Sequence, residues 1–185
     1  MRTIFLPVAI SLAMTSVSAA DTCNETVRDA SGRVVQTVER HKDAGGTVQA
    51  TTRDASGRVI GTSTTRQNSG GSATTDYRGA SGRLTGTAQT QATASGASRS
   101  ANTTYRDASG RLTGSADTRI SGGTGASIQT QYRDASGRLT GNTVTSGTGS
   151  ATSTQRDASG RLVGTSTATG KCTGTAMVPV SPVKQ

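Results

Sequence analysis

Alternation is the clearest pattern along the chain. Leu112, Gly114, Ala116, Thr118 and Ile120 are small or apolar, and the intervening Thr113, Ser115, Asp117 and Arg119 are polar. A period of two is that of a half-buried strand. After Ser121-Gly122-Gly123 the pattern resumes, with Ala126, Ile128, Thr130 and Tyr132 on one face and Ser127, Gln129, Gln131 and Arg133 on the other. Two strands and two turns therefore make one unit. Beyond the first twenty residues no helix signal interrupts it.

The unit recurs. Arg-Asp-Ala-Ser-Gly-Arg followed by Leu or Val is written six times, beginning at Arg28, Arg53, Arg78, Arg106, Arg133 and Arg156, and only the third copy departs, with Gly79 for Asp. Successive copies start 23 to 28 residues apart, the scale of one supersecondary unit in a repeat array. Asp favours the first position of a tight turn and Gly the last, so Asp-Ala-Ser-Gly reads as a hairpin turn. Two registers are open. A three-residue loop with a bulge at Gly sets Asp107 opposite Arg111; a four-residue loop sets Tyr105 opposite Leu112 and Arg106 opposite Arg111. The four-residue loop is preferred, because it gathers the large apolar side chains on one side. The expected fold is all-β: an antiparallel hairpin meander of about twelve short strands over residues 21–176, forming a curved or closed sheet. The first repeat, with Val27, Val34, Val35, Val38 and a charged loop from Glu39 to Asp43, reads as a cap for the array.

Composition changes this picture in one respect. The chain is rich in Thr, Ser, Gly and Ala, with one Phe, no Trp and three Tyr. Such residues cannot fill a thick globular core, so neighbouring repeats must cover one another. Residues 1–20 read as a secretory signal, with Arg2, an apolar run from Ile4 to Met14 and Ser18-Ala19-Ala20 at the cleavage site. That run is too short to span a bilayer, and the exported chain carries no other membrane segment. The expected destination is the periplasm or the cell exterior. There Cys23 and Cys172, the only cysteines, are expected to form one disulfide bracketing the repeats. A bond within one chain would bring the ends together and favour a closed or strongly curved sheet. The tail, residues 177–185, is expected to be extended, because Pro179 and Pro182 exclude helix and central strand.

The run Asp-Ala-Ser-Gly-Arg-Leu-Thr at Asp107–Thr113 and again at Asp134–Thr140 resembles the YD repeats of RHS-type proteins, in which a Tyr-Asp pair is followed by two residues and Gly-Arg-Leu. The resemblance implies a secreted bacterial β-hairpin repeat in an extracellular or toxin-shell setting. Here an Arg separates Tyr from Asp, as in Tyr105-Arg106-Asp107, and Val27, Thr52 and Gln155 stand where the other copies have Tyr.

Catalytic chemistry is not expected. His41 is the only histidine, the Ser and Thr residues have no partner base, and the turn aspartates are explained by turn formation. Metal-binding spacings and phosphate loops are absent from the sequence, so no cofactor is expected. The positive signal is the basic excess, 20 Lys and Arg against 11 Asp and Glu, concentrated in the repeat. Arg28 and Arg33, Arg53 and Arg58, Arg78 and Arg83, Arg106 and Arg111, Arg133 and Arg138, and Arg156 and Arg161 flank the six turns. Stacked in register they would form a ladder along one sheet edge. Planar guanidinium groups suit phosphate, sulfate and carboxylate, so the ladder is a candidate site for a polyanion such as lipopolysaccharide, an acidic glycan or DNA. The plainer reading is that each Arg pairs with a turn Asp and keeps the sheet soluble. The alternative function is a passive structural, fibre or adhesin component without a small ligand.

Overall fold

The computed structural model describes residues 21–95, 98–121, 127–147 and 150–170. The expected signal at 1–20, Cys172 and the expected extended tail at 177–185 lie outside the described residues. Twelve strands follow one another: β1 (Asp21–Asp29), β2 (Val34–Lys42), β3 (Val48–Asp54), β4 (Val59–Gln67), β5 (Ser72–Gly79), β6 (Leu84–Ser95), β7 (Ser98–Asp107), β8 (Leu112–Ser121), β9 (Ser127–Asp134), β10 (Leu139–Ser146), β11 (Ala151–Asp157) and β12 (Leu162–Gly170). Each pairs antiparallel with its sequence neighbours, and β1 also pairs with β12, which closes the sheet into an up-and-down barrel. The expected hairpin meander is present, and of the shapes left open the sheet adopts the closed one.

Closure changes the role of the first repeat. A cap would cover a free end, but β1 lies against β12 from Cys23 opposite Gly170 to Asp29 opposite Gly164. The stretch Glu39–Lys42, expected as a loop, completes β2, with the turn beginning only at Asp43.

The hairpin register is the three-residue one. Asp107 N–H donates to Arg111 O at 2.9 Å, and Gly110 N–H donates to Asp107 O at 3.0 Å. The reason lies in the carboxylate. Asp107 Oδ1 accepts from Ser109 N–H at 2.9 Å, Ser109 Oγ at 2.6 Å and Arg111 N–H at 3.0 Å. Gly110 takes a φ of 84°, which a residue without Cβ adopts without strain. A bulge then follows. Arg106 faces Leu112 and Tyr105 faces Gly114, so Thr113 is the extra residue. Leu112 leaves the inward face and is 44% exposed. The two arginines are no longer opposed, which removes the like-charge contact of the four-residue loop.

The barrel interior is built from small residues. Hydroxyls pair across neighbouring strands: Thr65 with Thr75 at 2.8 Å, Thr90 with Thr103 at 2.9 Å, Thr118 with Thr130 at 3.0 Å, and Thr145 with Ser153 at 2.7 Å. Each pair satisfies polar atoms that burial would otherwise penalise. Bulk comes from Tyr77, Tyr105 and Tyr132, packed with Ala88 and Ala116. The outer face is polar, as at Gln89 and Gln91 on β6, Asp117 and Arg119 on β8, and Gln129 and Gln131 on β9, all exposed or half-buried. A lipid-facing barrel needs an apolar band there. No described helix is long and apolar enough to cross a membrane.

Candidate functional site

The six repeat turns are the odd hairpins, so an up-and-down barrel delivers all of them to one mouth. The twelve candidate arginines therefore form a rim around that mouth. The expected ladder along a sheet edge is not formed, because closure leaves no edge. Neighbouring tips stand two strand spacings apart, roughly 10 Å.

Within each pair the two arginines differ. The first folds onto its own turn: Arg28 donates to Gly32 O at 3.0 Å, Arg53 to Gly57 O at 3.2 Å, Arg78 to Gly82 O at 2.9 Å, Arg106 to Gly110 O at 2.9 Å, Arg133 to Gly137 O at 3.0 Å and Arg156 to Gly160 O at 2.9 Å. The second, Arg33, Arg58, Arg83, Arg111, Arg138 or Arg161, is exposed, and in the five turns that keep Asp its backbone N–H is bound by the carboxylate.

The turn aspartates are engaged elsewhere. The Ser hydroxyl first, then the Arg backbone N–H, hold Asp29, Asp54, Asp107, Asp134 and Asp157 below the ordinary carboxylate range. Among the described residues, the one ion pair made by a rim arginine is Arg133 Nε with Asp117, on the outer wall, at 3.8 Å. Self-neutralisation by direct turn pairs, the plainer reading of the sequence, is not the geometry found. The rim carries twelve arginines against five aspartates. Aliphatic side chains are exposed beside it: Val59, Ile60, Leu112, Leu139, Leu162 and Val163.

Below the rim the wall is nearly bare. Gly61, Gly86, Gly114, Gly141 and Gly164 sit on the inward face, each so close to a neighbouring backbone carbonyl that a Cβ would press on it. Next along the inward face come the residues preceding each repeat's first Arg. Tyr77, Tyr105 and Tyr132 stand on β5, β7 and β9, and the smaller Gln155, Val27 and Thr52 on β11, β1 and β3. The aromatic half of the barrel thus projects toward the half with short side chains. On the neighbouring strands β1 and β2, Glu25 and Arg40 pair at 2.7 Å, both largely buried.

The Tyr132 hydroxyl is pushed up to about 12, chiefly by burial, although Thr143 hydrogen-bonds to it and partly offsets this. Burial also raises Tyr77 and Tyr105 well above the ordinary range. Arg40 lies near enough to Tyr77, and Glu25 to Tyr132, for their charges to act on those hydroxyls. The hydroxyls of Tyr77 and Tyr105 are buried without a hydrogen-bond partner among the described residues. A cavity of about 1200 Å³ extends from Cys23, Arg40 and Val48 past these tyrosines to Arg106 and Asp107 at the rim.

The sequence brought the twelve arginines together by repetition but missed the lumen. Its signal is present in the alternation, which assigns Tyr132 to the small-residue face, whereas the charged run Glu39–Asp43 looks like a loop and hides Arg40, which lies within β2. His41 is exposed on the outer face of β2. Cys23 is buried at the seam between β1 and β12. No group of residues suited to a metal ion occurs among the described residues. No known protein family matches the chain, and neither a characterised protein nor a solved structure matches it.

Proposed function

We propose that this is an exported, non-enzymatic binding module that holds polyanions on its arginine rim. The observation carrying this reading is that six copies of one turn place twelve guanidinium groups around a single mouth while their aspartates are committed to backbone and Ser donors. Backbone-anchored arginines lose less side-chain freedom on binding an anion than mobile ones, and a ring of like charge focuses the field at the opening. The exposed Leu and Val residues beside the rim favour, among polyanions, one that also carries apolar chains, as lipopolysaccharide does. Closure of the sheet weighs against the fibre alternative, because a barrel has no free strand edge to template assembly.

Export follows from the signal-like residues 1–20. It agrees with a Cys23–Cys172 disulfide, which we propose as a staple for the seam: Cys23 stands opposite Gly170, two positions before Cys172 in sequence. Mass spectrometry of the exported protein should find no free thiol.

The test is binding to heparin, duplex DNA and lipopolysaccharide across a salt series, with wild type beside a variant carrying Arg106→Gln, Arg111→Gln, Arg133→Gln and Arg138→Gln. Binding should fall steeply with salt and drop in the variant. Weak binding, indifferent to the four substitutions, would leave the arginines as solubility devices.

A further inference from the structure

We propose that the lumen below the rim is a second binding site, for a small amphiphilic acid whose acidic head is taken by the Tyr77 and Tyr105 hydroxyls in the cavity that Arg40 also lines. Three independent features point to it. The first is space: the cavity of about 1200 Å³ exceeds the roughly 300 to 1,000 Å³ of small-ligand sites, because it runs from the lumen up to the rim at Arg106 and Asp107. Gly61, Gly86 and Gly114 line it on the inward face and put no side chain into it.

The second is a pair of donors with no acceptor. Tyr105 is 7% exposed, and its hydroxyl and that of Tyr77 are buried unpartnered, whereas the third tyrosine has Thr143. Buried hydroxyls are almost always satisfied, so two on alternate strands of one wall mark the place where an acceptor belongs. Burial keeps both hydroxyls protonated, hence donors, at neutral pH.

The third is charge. Arg40 lines the same cavity as Tyr77 and Tyr105 and is balanced by Glu25 at 2.7 Å, so the lumen presents donors without a net negative charge to repel an acid. The rim above it draws anions in. Val38, Val48, Ala50 and the glycines give the wall apolar surface. The Thr65 and Thr75 hydroxyls are taken by each other at 2.8 Å, while Gln36, Lys42, Thr52 and Ser63 add polar groups. An alkyl or aryl acid suits the apolar stretch better than a sugar, which has many more hydroxyls to satisfy.

The experiment is calorimetric titration of the purified chain with dodecanoate and with dodecyltrimethylammonium, the same tail carrying the opposite charge, both below micelle formation. Dodecanoate should bind with one-to-one stoichiometry, about tenfold or more tighter than the cation. A Tyr77→Phe/Tyr105→Phe variant should weaken dodecanoate by about tenfold or more, the equivalent of one lost hydrogen bond to a charged group. The variant should melt at or above the wild-type temperature, because the rings stay and only unpartnered hydroxyls go. Ala50→Phe, which fills the cavity, should abolish binding with an unchanged far-UV spectrum. Dodecanoate should remain bound at a salt concentration that releases heparin, so this proposal and the rim proposal fail separately. Absence of saturable dodecanoate binding, equal affinity for the cation, or unchanged affinity in the double Phe variant would each overturn it.

Discussion

Gly86 offers the sharpest test of how the barrel wall is built. Its φ lies outside the left-handed region, so the backbone would accept alanine; the obstacle is the Arg106 carbonyl oxygen of the next strand, 2.5 Å from where the Cβ would stand. Ordinary contact begins near 3.4 Å, so β6 and β7 would have to part locally by about 0.9 Å, and overpacking of that kind costs about 1–3 kcal/mol. Removing a glycine from the unfolded chain offsets about 0.4–1 kcal/mol. The net expectation for Gly86→Ala is a loss of about 1–2 kcal/mol, or roughly 3–6 °C in melting temperature for a chain of this size. Gly61 supplies a graded comparison, because its nearest carbonyl, Arg78 O, is 2.9 Å away. Gly61→Ala should cost less than half as much. Gly45, with only the Asp43 carboxylate at 3.4 Å and no positive φ, should accept alanine at no loss. Thermal melts of the oxidised protein followed by far-UV circular dichroism would rank the three. Wild-type stability of Gly86→Ala, or a larger loss at Gly61 than at Gly86, would refute close strand approach as the reason for the repeated glycine.

Three further outcomes are expected. Gly79→Asp should raise the denaturation midpoint, because a Cβ there meets only the Thr85 methyl at 3.5 Å and the new carboxylate would reach Ser81 and the Arg83 N–H as its five counterparts do; an unchanged or lower midpoint would show that those caps contribute nothing. Arg40→Met should cost about 3 kcal/mol by leaving the Glu25 carboxylate buried and unpaired, and Arg40→Met with Glu25→Leu should recover much of it; guanidinium unfolding of the singles and the double measures the coupling. At alkaline pH the sign follows from Tyr132, whose folded value of about 12 exceeds the ordinary 10.0. The folded state holds the proton more tightly, so stability is intact below pH 10 and falls as pH rises from 10 toward 12. Tyrosine absorbance should therefore stay protonated past pH 10 and then change together with the loss of β signal; three tyrosines titrating freely near pH 10 in a folded barrel would contradict their burial.

What the sequence disclosed was whatever repeats. Alternation placed Gly114, Ala116 and Thr118 on one face, where they lie, and six copies of one turn implied twelve strands. The register was harder to read. A four-residue loop gathers Tyr105 with Leu112, an argument from apolar side chains. The chain instead follows the carboxylate of Asp107, whose three hydrogen bonds need the three-residue loop, and Leu112 is exposed as a result. Hydrophobic patterning misled because this protein has so little to bury that turn chemistry outweighs it. The arginines were legible as a set but not as a ring, since their arrangement depends on β1 meeting β12, a contact between the two ends of the repeat region. The lumen was least legible of all: its tyrosines and the Glu25–Arg40 pair come from separate repeats that only closure brings face to face.

That last point explains why the repeats are unequal. A barrel of six identical hairpins would carry six inward tyrosines below its rim, or six small residues and an open pore. Here tyrosines occupy three consecutive copies, on β5, β7 and β9, and Gln155, Val27 and Thr52 occupy the other three on β11, β1 and β3. The rings of one half have room because the other half lacks them. The first hairpin departs furthest. It puts Gln36 where later repeats have the inward glycine, Val38 where β6 and β8 have Ala88 and Ala116, and Arg40 where they have Thr90 and Thr118. Those substitutions add bulk and one ion pair on the wall opposite the tyrosines. Twelvefold arginine at the rim is a property of the repeat, whereas two unpartnered hydroxyls in one cavity with the Arg40–Glu25 pair are a property of its irregularities. The two candidate sites therefore differ in kind. The rim should tolerate the loss of any single copy with a graded fall in affinity, while the lumen depends on named residues, and changing Tyr77 and Tyr105 together should weaken it by about tenfold or more.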